Sequence, residues 1–212
     1  YDLPGVNQTQ VNPRIGVTFA VMLAAILRQD PDVIMVGEVR DEQTAATATR
    51  AANTGNLVLA TTHATRASRA IETMLSLGAH PFFLASALRG VVTQLLVKRL
   101  CPRCCRPVPE TADLAVEEPV RRRLGPDTPG RLYQGAGCDE CLGTGYSGRL
   151  GLFEMFAPDA RIRDLIAGRR PFAEVQQAVT ETGMLTLEQA GKVAALTGRT
   201  TLEELAEMLP TI

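Results

Sequence analysis

Tryptophan is absent from the 212 residues, and aromatic side chains as a whole make up only 4% of them. A chain that holds single-stranded nucleic acid by stacking bases needs aromatic platforms, and this one has few to offer. Neither sign of charge predominates, because 22 Lys and Arg stand against 23 Asp and Glu for a formal net charge of −1. That balance removes the electrostatic footprint of a DNA-binding protein and of a polybasic membrane anchor. Long apolar runs are missing too: the most apolar stretch, Val17 to Leu27, is too short to span a bilayer and reads as a core helix. The opening residues Tyr1-Asp2-Leu3-Pro4-Gly5 have neither the charged nor the apolar region of a secretory signal. They also lack an initiator Met. The expectation is a cytoplasmic chain that begins within a longer protein.

What is present starts with 45% hydrophobic residues, enough for one substantial core and a smaller satellite unit. Val33 to Val36 form an uninterrupted apolar run between Pro31 and Gly37, the pattern of a central parallel strand covered on both faces. Charge begins at its carboxyl end, in Gly37-Glu38-Val39-Arg40-Asp41. Open α/β sheets bind ligands at that end of their strands, which would place Glu38 in the crevice. A strand-end turn with a solvated carboxylate is the plainer alternative.

In chain order, residues 1–14 read as an extended connector, and Ile15 to Arg28 as a helix ending before Pro31. Asp41 is a good N-cap for an Ala-rich helix from Glu42 to Asn53, closed by Gly55. A second strand, Leu57 to Ala60, ends in Thr61-Thr62-His63, so two polar strand ends should converge through one right-handed βαβ unit. Helices are then expected from Ala67 to Leu77 and from Pro81 to Leu100. The final third reads as amphipathic helices at Arg161–Ala167, Phe172–Thr180, Leu185–Leu196 and Leu202–Met208, with Thr201 and Glu204 spaced as a capping box.

Between them lie two CxxC knuckles, Cys101/Cys104 and Cys138/Cys141. Four thiolates so paired suit tetrahedral zinc, with Gly143 and Gly145 allowing the tight turns beyond. Free or disulfide-bonded cysteines are the alternative, and a cytosolic setting weighs against disulfides. Cys105 is the odd thiol and reads as unligated.

Taken together, these stretches resemble the secretion and pilus-assembly ATPases of the GspE/PilB type. Leu27-Arg28-Gln29-Asp30-Pro31-Asp32 leading into Val36 to Asp41 is similar to that family's Walker B region, and Thr54 to His63 to its histidine box. Cys101, Cys104, Cys138 and Cys141 match its tetracysteine site, and Gly145 to Arg149 the segment after it. The resemblance implies an α/β chain: a partial RecA-like P-loop NTPase core with parallel strands over residues 1–100, a tetracysteine zinc region over 101–150 and a helical region over 151–212. It implies ATP, Mg²⁺ and Zn²⁺ as cofactors, with Glu38 polarising the attacking water and His63 sensing phosphate. Arg28 and Gly37 would lie at the nucleotide, Gly37 standing where a Walker B usually has Asp, so that magnesium is held through phosphates and water. The implied assembly is a cytoplasmic homo-hexamer, peripheral at the inner membrane through a platform protein and without nucleic acid.

Two departures qualify the match. The phosphate-cradling GxxxxGK[ST] loop occurs nowhere in the 212 residues, as expected of a carboxyl-terminal portion lacking Walker A. Ala24 and Asn56 stand where the family often has Arg and His, which brings neighbour contacts and phosphate sensing into question. A non-catalytic, zinc-stabilised interaction module of the same machinery is the rival reading; a zinc-knuckle nucleic-acid module has poor support from charge.

Overall fold

The computed structural model describes residues 2–109, 116–125 and 130–209. Along the chain run α1 (Phe19–Ile26), β1 (Val33–Val36), α2 (Glu42–Asn53), β2 (Leu57–Ala60), α3 (Ala67–Ser76), α4 (Pro81–Ala87), β3 (Val91–Leu100) and β4 (Cys105–Pro107). They are followed by α5 (Glu118–Leu124), β5 (Tyr133–Gly135), β6 (Tyr146–Phe156), α6 (Ala160–Ala167), α7 (Phe172–Glu181), α8 (Leu187–Leu196) and α9 (Leu202–Met208). They pack as two compact units: Tyr1–Val91 with Ala157–Ala178, and Val92–Phe156 with Val179–Ile212.

In the first unit β1 and β2 pair in parallel, with Val33 opposite Leu57 and Val36 opposite Ala60. The α2 crossover between them starts where Asp41 accepts from the Thr44 amide at 2.8 Å and from the Thr44 hydroxyl at 2.9 Å. Both carboxylate oxygens are thus spent on one helix end. The other end breaks at Gly55, whose φ of 117° is open to glycine at little cost. Small residues Ala45, Ala48 and Ala51 form the buried face of α2 and let its neighbours approach closely. Ile162 and Ile166, one turn apart on α6, are almost fully buried where α6 packs on α4. Burial of each contributes about 1.5–3 kcal/mol.

The sheet differs from the expectation in one respect. Ile34 and Val36 are buried, but Val33 is 55% exposed and Met35 72%, and Leu57 and Leu59 across the pair are half open. Only one face of β1–β2 is covered among the described residues. An apolar strand is thus no proof of two covered faces, since the run looks the same whether or not a second layer lies over it.

In the second unit β3 lies beside β6, and β4 pairs antiparallel with β5, Cys105 opposite Gly135. Val97, Leu150 and Leu152 from the strands bury against Leu187, Ala194, Ala195, Leu205 and Leu209 from the α8–α9 segment. The helix expected from Pro81 to Leu100 is two elements. It stops at Ala87, because Leu88 is extended (ψ 118°), and after Gly90 the β-branched Val91-Val92-Thr93 opens a strand. Exposure then alternates, Val92, Gln94 and Leu96 facing out and Val97 in.

The capping box is half made. Thr201 Oγ1 accepts from the Glu204 amide at 3.2 Å, but the Glu204 carboxylate turns to Lys98, taking its amide at 2.7 Å and its Nζ at 2.7 Å. Tertiary partners outbid the local one. Glu154, another buried acid, accepts from Leu187 N at the start of α8 at 3.2 Å, where the helix dipole favours negative charge.

Candidate functional site

Parallel pairing brings the carboxyl ends of β1 and β2 together. Val39 N donates to Thr61 O at 2.9 Å, and the Thr61 hydroxyl donates to Gly37 O. These two bonds carry the pairing one step past the strands and lay Gly37-Glu38-Val39 against Thr61-Thr62-His63. Val39 is buried and anchors the segment. Glu38, next to it, points the other way.

The Glu38 side chain is only 16% exposed, yet both of its oxygens meet basic groups: Oε2 pairs with Arg40 Nη2, and Oε1 lies close to His63 Nε2. The hydrogen bond from Arg40 holds the Glu38 carboxyl below the ordinary carboxylate range. Its sheltered position pushes the other way and is outweighed, with the charges of Arg40 and His63 adding to the effect. Both partners are themselves wet, Arg40 at 69% and His63 at 85% exposure. Glu38 Oε1, although close to His63 Nε2, and the Thr62 hydroxyl oxygen are both buried and have no hydrogen-bond partner among the described residues. A buried polar atom left in that condition is a place for a ligand or water oxygen.

Glycine at position 37 is not a steric necessity. A Cβ there would meet only the Phe19 ring, at 3.8 Å. Its effect is to withhold a second carboxylate beside Glu38.

Of the residues singled out from sequence, Gly37, Glu38 and His63 come together. Arg28 does not join them. It sits exposed in a 3₁₀ turn, Leu27–Gln29, just ahead of β1, so the whole strand separates it from Glu38, roughly 13 Å at about 3.3 Å per residue. Asn56 lies at that same amino end, its amide nitrogen donating to Pro31 O. It fastens the start of β2 to the start of β1 and is remote from the carboxyl-end site, so its identity bears on packing there. Ala24 is exposed on α1. Arg40 is the residue that sequence reasoning passed over, although it stands two positions from Glu38, where a strand-like backbone returns side chains to the same face.

A second cluster forms in the other unit. The sulfurs of Cys101, Cys104, Cys138 and Cys141 all lie within 4.8 Å of one another. Three of the separations are 3.9 Å (Cys101–Cys138), 3.8 Å (Cys104–Cys141) and 3.7 Å (Cys138–Cys141). Four thiolates about 2.3 Å from one zinc at tetrahedral angles are about 3.8 Å apart along each edge, so the set fits that ion. It does not fit disulfides, which need about 2.05 Å between sulfurs. Burial pushes the Cys104 thiol up to about 12. Burial acts on Cys141 too, but the Cys138 and Gly145 amides, 3.2 and 3.3 Å from its sulfur, bring it down to about 6.

The backbone around the cluster is closely built. Gly145, at a φ of 76°, accepts from Cys101 N at 2.9 Å, and a Cβ on Gly135 would stand 2.3 Å from that same carbonyl oxygen. Two glycines are needed for these chains to touch. Arg103 Nε reaches Glu140 Oε2 at 2.6 Å and ties one knuckle to the other. Cys105 stays outside, its thiol directed at Gly198 O at 3.7 Å.

With both sites described, comparison with known proteins adds findings of three kinds. The family model for Type II/IV secretion system protein matches residues 1–207. The type IV pilus assembly ATPase PilB of Thermus thermophilus is 46% identical, over 97% of this chain and 23% of its own length. The type II secretion system protein E of Klebsiella pneumoniae is 44% identical, over 97% of this chain and 40% of its own length. Among solved structures, the pilus retraction motor PilT with bound ADP superposes at a TM-score of 0.62 and 27% identity, covering 91% of this chain and 44% of that one. The ATPase DotB of Legionella pneumophila shares the fold at a TM-score of 0.63 and 20% identity, covering 94% and 44%. The chain spans well under half the length of each of these proteins.

Proposed function

Since the chain belongs to the Type II/IV secretion system protein family, we propose that it forms part of a hexameric motor ATPase that couples ATP hydrolysis to type II secretion or type IV pilus assembly. The observation that carries this reading is the Glu38 carboxylate at the carboxyl end of a parallel strand, sheltered, with His63 against it. Phosphoryl transfer asks little covalent chemistry of a protein; it asks for positioning and for charge placed around the terminal phosphate. Glu38 orients and polarises the attacking water. His63 donates a hydrogen bond toward the terminal phosphate and reports its presence to Glu38. Magnesium, with Gly37 contributing no carboxylate, is held through phosphates and water. Arg28, at the far end of β1, serves the nucleotide in this reading only from another side, such as a neighbouring subunit's.

The phosphate-cradling loop is not among the 212 residues, so its part in the reaction is supplied from outside them. Zinc bound by Cys101, Cys104, Cys138 and Cys141 would stabilise the second unit and supply no step of hydrolysis. The motor works at the cytoplasmic face of the inner membrane, against a platform protein and without nucleic acid. A second reading, a zinc-stabilised interaction module that does not turn over nucleotide, draws on the complete thiol set together with the missing loop.

Glu38→Gln separates the two, tested in a motor that contains this segment and a phosphate loop. The substitution keeps size and removes charge, so kcat should fall by about 10²- to 10⁴-fold while ATP affinity is retained. A kcat within about threefold of the parent, under 1 kcal/mol on the barrier, would leave Glu38 a structural residue and favour the module.

A further inference from the structure

We propose that Arg40 is a positioning residue: it holds the Glu38 carboxylate closed to water until the phosphates of a bound nucleotide draw its guanidinium away. The inference rests on the reading of Glu38 as the water-polarising group. A carboxylate whose Oε2 is held by a guanidinium, and whose buried Oε1 lies close to an imidazole without accepting a hydrogen bond, is poorly disposed to accept a proton from water. Glu38 is in that condition here. The arrangement is therefore a resting one, and something must undo it before Glu38 acts.

The distribution of exposure says which partner moves. Glu38 is sheltered on a segment pinned by Val39 and by the Thr61 bonds, whereas Arg40 is 69% exposed and its long side chain is free to swing. Ion pairs with one wet partner are weak, and a phosphate group offers more negative charge and a bidentate edge to the same guanidinium. Release of Arg40 then does two things at once. It frees Glu38 and brings a positive charge to the phosphates. His63 is more exposed still and lies close to the other oxygen, so it can follow the same course.

Among the described residues, the basic groups set against Glu38 are Arg40 on its own segment and His63 beyond β2. The α1 segment, whose Phe19 ring lies against Gly37, brings no titratable group, and both Asp41 carboxylate oxygens are engaged by Thr44. That makes the pH profile readable. In a phosphate-loop-bearing motor containing this segment, the acid limb of kcat/KM reports Glu38 before ATP binds, and the acid limb of kcat reports it afterwards.

The expected result in the parent protein is a kcat/KM limb at lower pH than the kcat limb, because the pair exists only before binding. Arg40→Gln should move the kcat/KM limb up to meet the kcat limb, leave the kcat limb in place, and raise KM for ATP roughly tenfold through loss of a charged phosphate contact. Arg40→Lys should restore part of the separation. In the 212-residue chain, carboxyl-carbon NMR of Glu38 should show its titration midpoint rising on Arg40→Gln, which tests the pair without turnover. If both limbs move together, the pair is permanent and the proposal fails; if neither limb moves while Glu38→Gln still abolishes turnover, Arg40 does not act on Glu38 and only the catalytic reading stands.

Discussion

Glu204 is an acid that is 2% exposed, three residues into a helix, with its carboxylate on the amide and the ammonium of Lys98. Burial raises its pKa, and the two Lys98 hydrogen bonds and the Lys98 charge more than reverse this, so its carboxyl lies below the ordinary range. A lowered folded-state pKa adds stability above the unfolded value, and that stability drains away as pH falls through the folded value. Glu204→Gln should therefore cost about 1.5–3 kcal/mol at neutral pH. Denaturant midpoints of the two proteins should converge as the medium is taken below the ordinary carboxylate range; a gap that persists there would show that charge is not what holds α9. Sequence gave only part of this residue's role. Thr201 and Glu204 have capping-box spacing, but nothing local announces that Lys98, 106 residues earlier, takes the carboxylate. The same limit applies at the other site. Glu38 and His63 were legible because each ends a strand in polar residues, whereas Arg40 reads as one more charge in a loop until its guanidinium is seen against Glu38.

Elements with their own punctuation were easy to read. Asp41 before α2 and Gly55 after it mark boundaries that the structure reproduces at Glu42 and Asn53. Asp41→Ala should cost about 1 kcal/mol, and up to about 2, by stripping the Thr44 amide of its acceptor at the head of the βαβ crossover. Chemical denaturation measures it; a change under a few tenths of a kcal/mol would mean that the Thr44 amide finds another acceptor. The α4–β3 segment was misread for want of such marks. Gly90 is the one breaker between helix and strand, and the adjacent Leu95 and Leu96 imitate a buried helix until the alternating exposure of β3 is known. Likewise the open face of β1–β2 could not be foreseen, since Val33 and Met35 are as apolar as Ile34 and Val36.

On the scale of the whole chain, the thiol cluster belongs to one unit and the Glu38 site to the other. A structural zinc typically contributes about 10 kcal/mol or more to the folding of the part that binds it. With zinc on the four thiols, as proposed, chelation should therefore speed hydrogen exchange in β3–β6 and α8–α9 first, while α2 and the strands around Glu38 stay protected. Simultaneous loss of protection throughout would show one cooperative body. Replacement of any of the four clustered cysteines by Ser should mimic chelation, and replacement of Cys105 should not. Neither unit is one continuous stretch, for the chain passes between them after Val91, Phe156 and Ala178. That order has a consequence during synthesis. A ribosome adding about 5–20 residues per second takes roughly 4 to 16 s over residues 88 to 167, from the end of α4 to the end of α6, and for that time α4 waits for the α6 it packs on. The first knuckle likewise emerges before the second, so assembly of the thiol cluster and closure of the earlier unit are both timed by translation.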